Sequence, residues 1–227
     1  MPRRTFAVIG LGRFGSAVAT TLSQLGQDVI GIDADGERVR LLGDVVRHAI
    51  ELDAADERAL RAAGVPEVDV AIVSIGENIE ASLLVVMQVK ELGVPTILAK
   101  AVTPLHGRIL TKLGVSRVIF PEREMAVRIA HSLVVPNVVD YIELSKDFSI
   151  VELPAPEEFV GRTLKELELR PRFGLTLIAI RRPSGTSDGE ITNVSPSADD
   201  RIQRGDILAL IGANDRLSQL DRLLKRK

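Results

Sequence analysis

Six residues, Gly10-Leu11-Gly12-Arg13-Phe14-Gly15, constrain this chain more than any others, because they stand directly after an apolar run, Thr5–Ile9, and open a helical stretch, Gly15–Leu25. A strand that turns through closely spaced glycines into a helix leaves first-turn N–H groups and the positive helix end facing outward, where an anion is stabilised. Gly10 permits the tight turn, Gly12 lets a phosphate approach the backbone, and Gly15 lets helix and strand pack closely. Asp33 follows 18 residues after Gly15, at the end of a second strand, Val29–Ile32, where its carboxylate can accept ribose hydroxyls. The other reading is that the glycines serve packing alone and Asp33 caps a helix.

From Thr5 to Ile119, short β-branched runs alternate with amphipathic stretches, the pattern of a parallel sheet covered on both faces. Strands are predicted at Thr5–Ile9, Val29–Ile32, His48–Ile50, Val70–Ser74, Thr96–Lys100 and Arg117–Phe120. Helices are predicted at Gly15–Leu25, Arg38–Val45, Glu57–Ala63, Ile79–Leu92 and Pro104–Leu113, with Gly26, Gly64, Gly93 and Gly114 placed as C-caps. Six strands suit a Rossmann-like, doubly wound α/β sheet. A further helix, Arg123–Val135, ends at Pro136-Asn137, and the periodicity then changes. Strands near 149–153, 175–181, Ile191 and Asp206–Ile211, a helix at Thr163–Glu168 with a Thr163/Glu166 capping box, and a turn at Pro183–Gly189 make a small α+β domain. The tail Asn214–Lys227 puts Leu217, Leu220, Leu223 and Leu224 on one face, so it either closes that domain or needs a partner. The expected division is 1–138, 139–213 and a helical tail, 214–227.

Composition narrows the function. At 227 residues with 45% hydrophobic and 26% charged residues, the chain can bury one full core and a smaller one. A net charge of −2 supplies no bulk field toward nucleic acid, so a bound polyanion must be small and locally held. Without cysteine there is no disulfide, thiolate nucleophile or Cys-ligated metal, which fits a reducing cytosol. The apolar runs, Leu83–Met87 included, are too short to span a bilayer, which predicts a soluble protein free to dock on a membrane partner.

Glycine turn and acid together read the phosphates and ribose of NAD and of ATP alike, while Asp33 opposes the 2′-phosphate of NADP. Arg13 lies inside the phosphate turn, where a guanidinium fork gains most specificity by facing a terminal phosphate, which separates ATP from ADP and disfavours a dinucleotide. Its alternative is an exposed helix-start arginine. Asp53 and Asp56 follow the third strand and either reach the adenine side or start a helix. Lys100, at the carboxyl end of the fifth strand, either holds a phosphate or is solvated. Enzyme chemistry is missing: Tyr141 has Ser145, not Lys, four residues on, His48, His106 and His131 form no motif, and neither a Gly-x-Ser-x-Gly elbow nor a Walker A loop exists. A nucleotide site without chemistry beside it predicts a sensor.

Phe6–Gly15, Val73–Ser82, Leu98–Ala101 and Ile119–Glu122, with Phe173–Arg181 and Gly205–Gly212 in the second domain, resemble the KtrA/TrkA family, whose modules are called RCK or KTN domains. A single copy of each domain is closer to KtrA than to the tandem TrkA arrangement. The resemblance implies a cytoplasmic regulatory subunit of a Ktr-type potassium uptake channel, peripheral on the membrane through a KtrB-like subunit, with dimers assembled into an octameric ring. It further implies ATP and ADP competing for one site formed by Gly10, Gly12, Phe14, Gly15 and Asp33, with Arg13 on the terminal phosphate, and a divalent cation, Mg²⁺ or Ca²⁺, at Glu122 in the dimer interface. Glu122 is alternatively a first-turn helix acid after Pro121. Some relatives bind cyclic di-AMP between paired TrkA-C domains, and Arg170 and Arg172 beside the apolar strand Leu175–Ile180 suit such a cleft. Two alternatives stay open: an NAD/NADH-binding redox sensor of the same fold, and an NAD-dependent dehydrogenase.

Overall fold

The computed structural model describes residues 2–76, 78–134, 138–183 and 190–224. The chain divides into two compact units, Met1–Glu122 and Arg123–Lys227.

The first unit runs β1 (Thr5–Ile9), α1 (Arg13–Gln24), β2 (Asp28–Asp33), α2 (Gly36–Leu42), β3 (His48–Glu51), α3 (Glu57–Ala62), a 3-10 turn at Val65–Glu67, β4 (Val70–Val73), α4 (Ile79–Glu91), β5 (Thr96–Lys100), α5 (Pro104–Leu113) and β6 (Arg117–Ile119). The six strands form one sheet in the order β3-β2-β1-β4-β5-β6, with every pairing parallel. Alternation along β1 sends Ala7 and Ile9 to one face and Val8 to the other. On the first face they join Val73, Ala99 and the α4 residues Val85, Val86 and Val89. On the second, Val8 packs with Val29, Ile72, Ala19 of α1 and Leu42 of α2. β4 lies between β1 and β5 and is buried at all its positions, which explains its unbroken apolar sequence. The four glycines read as C-caps all adopt left-handed φ.

Side-chain caps start four of the helices: Asp35 for α2, Asp56 for α3, Asn78 for α4 and Thr103 for α5. α1 differs, since its N-cap is Gly12 and no side chain satisfies its first turn. The strand order reverses between β1 and β4, so the β1–α1 and β4–α4 turns open on the same crevice at the carboxyl edge of the sheet, the place where open α/β sheets take ligands.

α6 (Pro121–Val134) begins two residues before its expected start, with Pro121 at the first helical position where a missing N–H costs nothing. The second unit continues with β7 (Asp140–Glu143), β8 (Phe148–Pro154), α7 (Leu164–Leu167), α8 (Leu169–Phe173), β9 (Thr176–Pro183), β10 (Glu190–Asn193), β11 (Ile207–Ala213) and α9 (Asn214–Leu224). Its sheet has the order β10-β9-β11-β8-β7, with antiparallel pairings. The Thr163/Glu166 capping box forms as read. The expected helix end at Pro136-Asn137 and most of the turn Pro183–Gly189 lie outside the described residues, as does Glu77. α9 resolves the two readings of the tail: Leu217 and Leu220 are buried in the second core with Leu167, Leu175, Leu208 and Leu210. Ser149, fully buried, donates to Tyr141 or Asn214 and links β7, β8 and the start of α9 through its hydroxyl. No helix among the described residues is long and apolar enough to cross a membrane.

The second unit also holds an ion pair whose carboxylate is buried and whose arginine is half-buried. The Asp206 carboxylate, with no exposed surface, accepts two hydrogen bonds from Arg182, at 2.7 and 2.9 Å, and one from the Gln203 N–H at 2.8 Å. Burial alone raises the Asp206 pKa, but Arg182 and the Gln203 N–H together hold it below the usual carboxylate value. A folded-state pKa below the unfolded one, about 3.9, contributes stability that is complete above that pH and lost as pH falls through the folded value. Asp206→Asn is expected to lower stability by roughly 1–2 kcal/mol near neutrality, because the half-buried Arg182 left behind is partly solvated, with a shrinking difference from wild type below about pH 4, as read by urea melts across pH.

Candidate nucleotide site

The site is built on backbone. Gly10, at φ +92°, donates its N–H to the Ile32 carbonyl at 2.8 Å, which joins the end of β1 to the end of β2. Its own carbonyl accepts the Ser74 hydroxyl in a short hydrogen bond, while the Ser74 N–H reaches the Ile9 carbonyl at 2.8 Å. Ser74 thereby ties the β1–α1 turn to the end of β4. A Cβ on Gly15 would lie 1.9 Å from the Gly10 oxygen and 2.4 Å from Ser74 Oγ, so only glycine fits under this tie. Gly12 is the opposite case: with φ −67° and ψ −172° any residue suits its backbone, and nothing lies within 4 Å of a Cβ placed there. Gly15 is thus a packing glycine and Gly12 an access glycine. The uncapped first turn, with no acidic residue in it, presents its amides to an anion.

Asp33 is pinned beside this turn. Its Oδ2 accepts the Leu11 N–H at 2.6 Å and its Oδ1 the Asp35 N–H at 2.9 Å, leaving a further lone pair on each oxygen for a ribose hydroxyl. It does not cap α2, which Asp35 does. Arg13, the first residue of α1, is exposed and has no ion partner among the described residues. Phe14 is half-buried beside it. Asp53 is exposed in the turn after β3 and accepts the Ala55 N–H at 2.9 Å, and Asp56 caps α3. The helix-start reading holds for Asp56.

The structure pairs Lys100 with Glu122, which the sequence had treated separately. Lys100 Nζ donates to Glu122 Oε1 at 2.6 Å, and the same Nζ lies 3.4 Å from where a Gly76 Cβ would stand, at the mouth of the β4–α4 turn. That ammonium, helped by the residue's own N–H, holds the Glu122 carboxyl below its usual range. Among the described residues no three His, Cys, Asp or Glu side chains gather at a point, so a lone, exposed Glu122 with a cation already on it does not fit a divalent metal within one chain. His106 is buried and its Nδ1 faces the Val102 N–H at 3.5 Å, while His48 is exposed. Burial pushes the His106 pKa down, which keeps it a neutral packing residue. In the second unit Leu175 is wholly buried and the Arg172 guanidinium lies 5.2 Å above the Phe173 ring, with Arg170 exposed.

Two residues were missed as members of this site. Ser74 read as the end of a strand and part of a matching segment, and Arg38, whose Nη1 is 3.5 Å from Asp33 Oδ2, read as a helix residue.

Residues 6–121 match the model of the TrkA-N domain and residues 148–225 that of the TrkA-C domain. The chain belongs to the KtrA/TrkA family. It is 41% identical over 220 residues to the Ktr system potassium uptake protein C of Bacillus subtilis (strain 168), with 97% of each chain covered. It is 38% identical over 209 residues to the Ktr system potassium uptake protein A of the same organism, covering 92% of this chain and 91% of that one. Among solved structures it is similar to the GsuK RCK domain, with a TM-score of 0.66 and 18% identity over 99% of this chain, and to the GsuK channel bound to NAD, with 0.63 and 18% over 99%. It spans 48% and 40% of those two chains, and at that identity the likeness is one of fold.

For this family member the two glycines are separable by substitution. Gly15→Ala is expected to destabilise the fold by roughly 1–3 kcal/mol through the clash with Gly10 and Ser74. Gly12→Ala is expected to leave the thermal midpoint unchanged and weaken nucleotide binding about tenfold or more by crowding the phosphate approach. Thermal melts and calorimetric titration of both variants with ADP check this.

Proposed function

We propose that this chain is the non-enzymatic regulatory subunit of a Ktr-type potassium uptake system, and that ATP and ADP exchange on the β1–α1 turn sets its state. The observation that carries this reading is the uncapped α1 N-terminus with open space above Gly12, flanked by the pinned Asp33 and by the exposed Arg13, which has no ion partner among the described residues. Both curated relatives, similar along nearly their whole length, are potassium uptake proteins. The helix-start amides take the α- and β-phosphates, Asp33 the ribose, and Arg13 the terminal phosphate of ATP, in its own subunit or in a neighbour.

The signal must come from unequal binding, because a ligand with equal affinity for two arrangements shifts neither. Arg13 supplies the inequality by contacting a group that ADP lacks. Assembly is part of the reading. α6 leaves Met125, Ile129 and Leu133 exposed at i, i+4 and i+8, an apolar stripe suited to a second copy of the chain in a dimer that builds a ring, an octamer by family resemblance, under a KtrB-like membrane subunit on the cytoplasmic side. A divalent cation at Glu122 would need the matching carboxylate of a second copy and release of Lys100, and no step of the mechanism runs through it. Cyclic di-AMP binding at paired TrkA-C domains is an added expectation, with Arg170 and Arg172 both exposed.

Calorimetric titration with ATP, ADP, NAD and NADH tests the proposal. ATP and ADP are expected to bind wild type, and Arg13→Ala is expected to cut the ATP/ADP affinity ratio roughly tenfold with ADP affinity nearly intact, the size of one charge-assisted hydrogen bond. Binding of NADH alone would replace this reading with the redox sensor, and an unchanged ratio would return Arg13 to the surface.

A further inference from the structure

Arg38 was silent in the sequence, yet the structure sets it at the ribose end of the site. It lies in α2 with Nη1 3.5 Å from Asp33 Oδ2 and Nε 3.3 Å from Asp35 Oδ2. The Asp33 side chain is 9% exposed and that of Arg38 43%, so the guanidinium lies on the solvent side of the carboxylate. Asp35 is itself fixed, since its Oδ1 caps α2 through the Glu37 and Arg38 N–H groups. The two carboxylates therefore bias the arginine fork toward Asp33 before any ligand arrives.

At 3.5 Å the Arg38–Asp33 contact is an ion pair rather than a good hydrogen bond, so the guanidinium N–H and the second Oδ2 lone pair both keep hydrogen-bonding capacity. A hydroxyl is the group that uses both, since its oxygen accepts from the arginine while its hydrogen donates to the carboxylate. A phosphate uses only the arginine, and it would meet Asp33, Asp35 and also Glu51, which is Asp33's register partner on β3 and whose Oε2 lies 2.4 Å from where a Gly36 Cβ would stand. Three carboxylates against one guanidinium disfavour an anion at this point.

We propose that Arg38 is a specificity-determining residue that, with Asp33, grips one ribose hydroxyl between donor and acceptor, so that the site selects adenosine nucleotides with an unmodified ribose over deoxy and ribose-phosphorylated ones. This rests on the nucleotide reading of the same site. The ligand's other end is left to Gly12 and Arg13, which makes ribose selection separable from phosphate-count selection.

The experiment is calorimetric titration of the full chain and its Arg38→Ala and Arg38→Lys variants with ADP, 2′-deoxy-ADP and 3′-deoxy-ADP, with thermal midpoints as a folding control. Wild type is expected to bind ADP about tenfold or more tightly than one of the two deoxy analogues, the scale of a hydrogen bond to a charged group. Arg38→Ala is expected to lose roughly that factor for ADP and nothing for that analogue, with Arg38→Lys between the two, because an ammonium supplies the charge without the fork. Equal loss for ADP and both analogues, or no preference for ADP in wild type, would overturn the proposal while leaving the nucleotide site standing. Failure of wild type to bind ADP at all would overturn the site reading, and this proposal with it.

Discussion

The tie between Ser74 and the Gly10 carbonyl is the contact on which the first unit's function depends. It joins the ends of β1 and β4, the two strands at which the sheet reverses order, and Gly15 passes beneath it with no room for a methyl group. With the Gly10 N–H on Ile32 and the Leu11 N–H on Asp33, the turn's first two amides are consumed by the scaffold. The following amides, at the uncapped start of α1, are what remain for a ligand. A rigid turn with its unused donors facing one way is preorganised for an anion, and preorganisation lowers the ordering cost of binding.

Charge is unevenly distributed along the carboxyl edge of the sheet, in the sense that the proposed nucleotide site requires. Acids collect at the ends of β2 and β3 as Asp33, Glu51 and Asp53, where a ribose and base would lie. Cations stand at α1 and the end of β5 as Arg13 and Lys100. Glu122 holds Lys100 in reserve, and a phosphate that engaged the lysine would have to compete with that carboxylate at the very residue that follows Pro121 into α6.

The parallel sheet was legible in the sequence because its central strands are buried on both faces: Val70–Val73 and Thr5–Ile9 are apolar runs that no surface element would carry, and the longer intervening helices show their period. The glycine turn and Asp33 were legible because their spacing is set by one strand–turn–helix unit. β7 and α8 were not seen. They are only four and five residues long, Asp140–Glu143 has two acids in its four residues, and Leu169–Phe173 contains Pro171, so neither gives a pattern a window can register. Pairs that tertiary folding creates were also invisible: Lys100 with Glu122, Arg38 with Asp33, Arg182 with Asp206. Sequence shows each as a solvated charge, and only the closing of strands and turns reveals which of them share an environment.

The central claim, that the turn from Gly10 to Gly15 is an adenine-nucleotide site, is most directly tested by hydrogen–deuterium exchange on the full chain with and without ADP. The account predicts slowed exchange concentrated at the start of α1, at Asp33–Arg38 and at the β4–α4 turn around Ser74–Gly76, with the amino ends of the same strands unchanged. Saturating ADP that left those three segments unprotected, or that protected only the second unit, would contradict it.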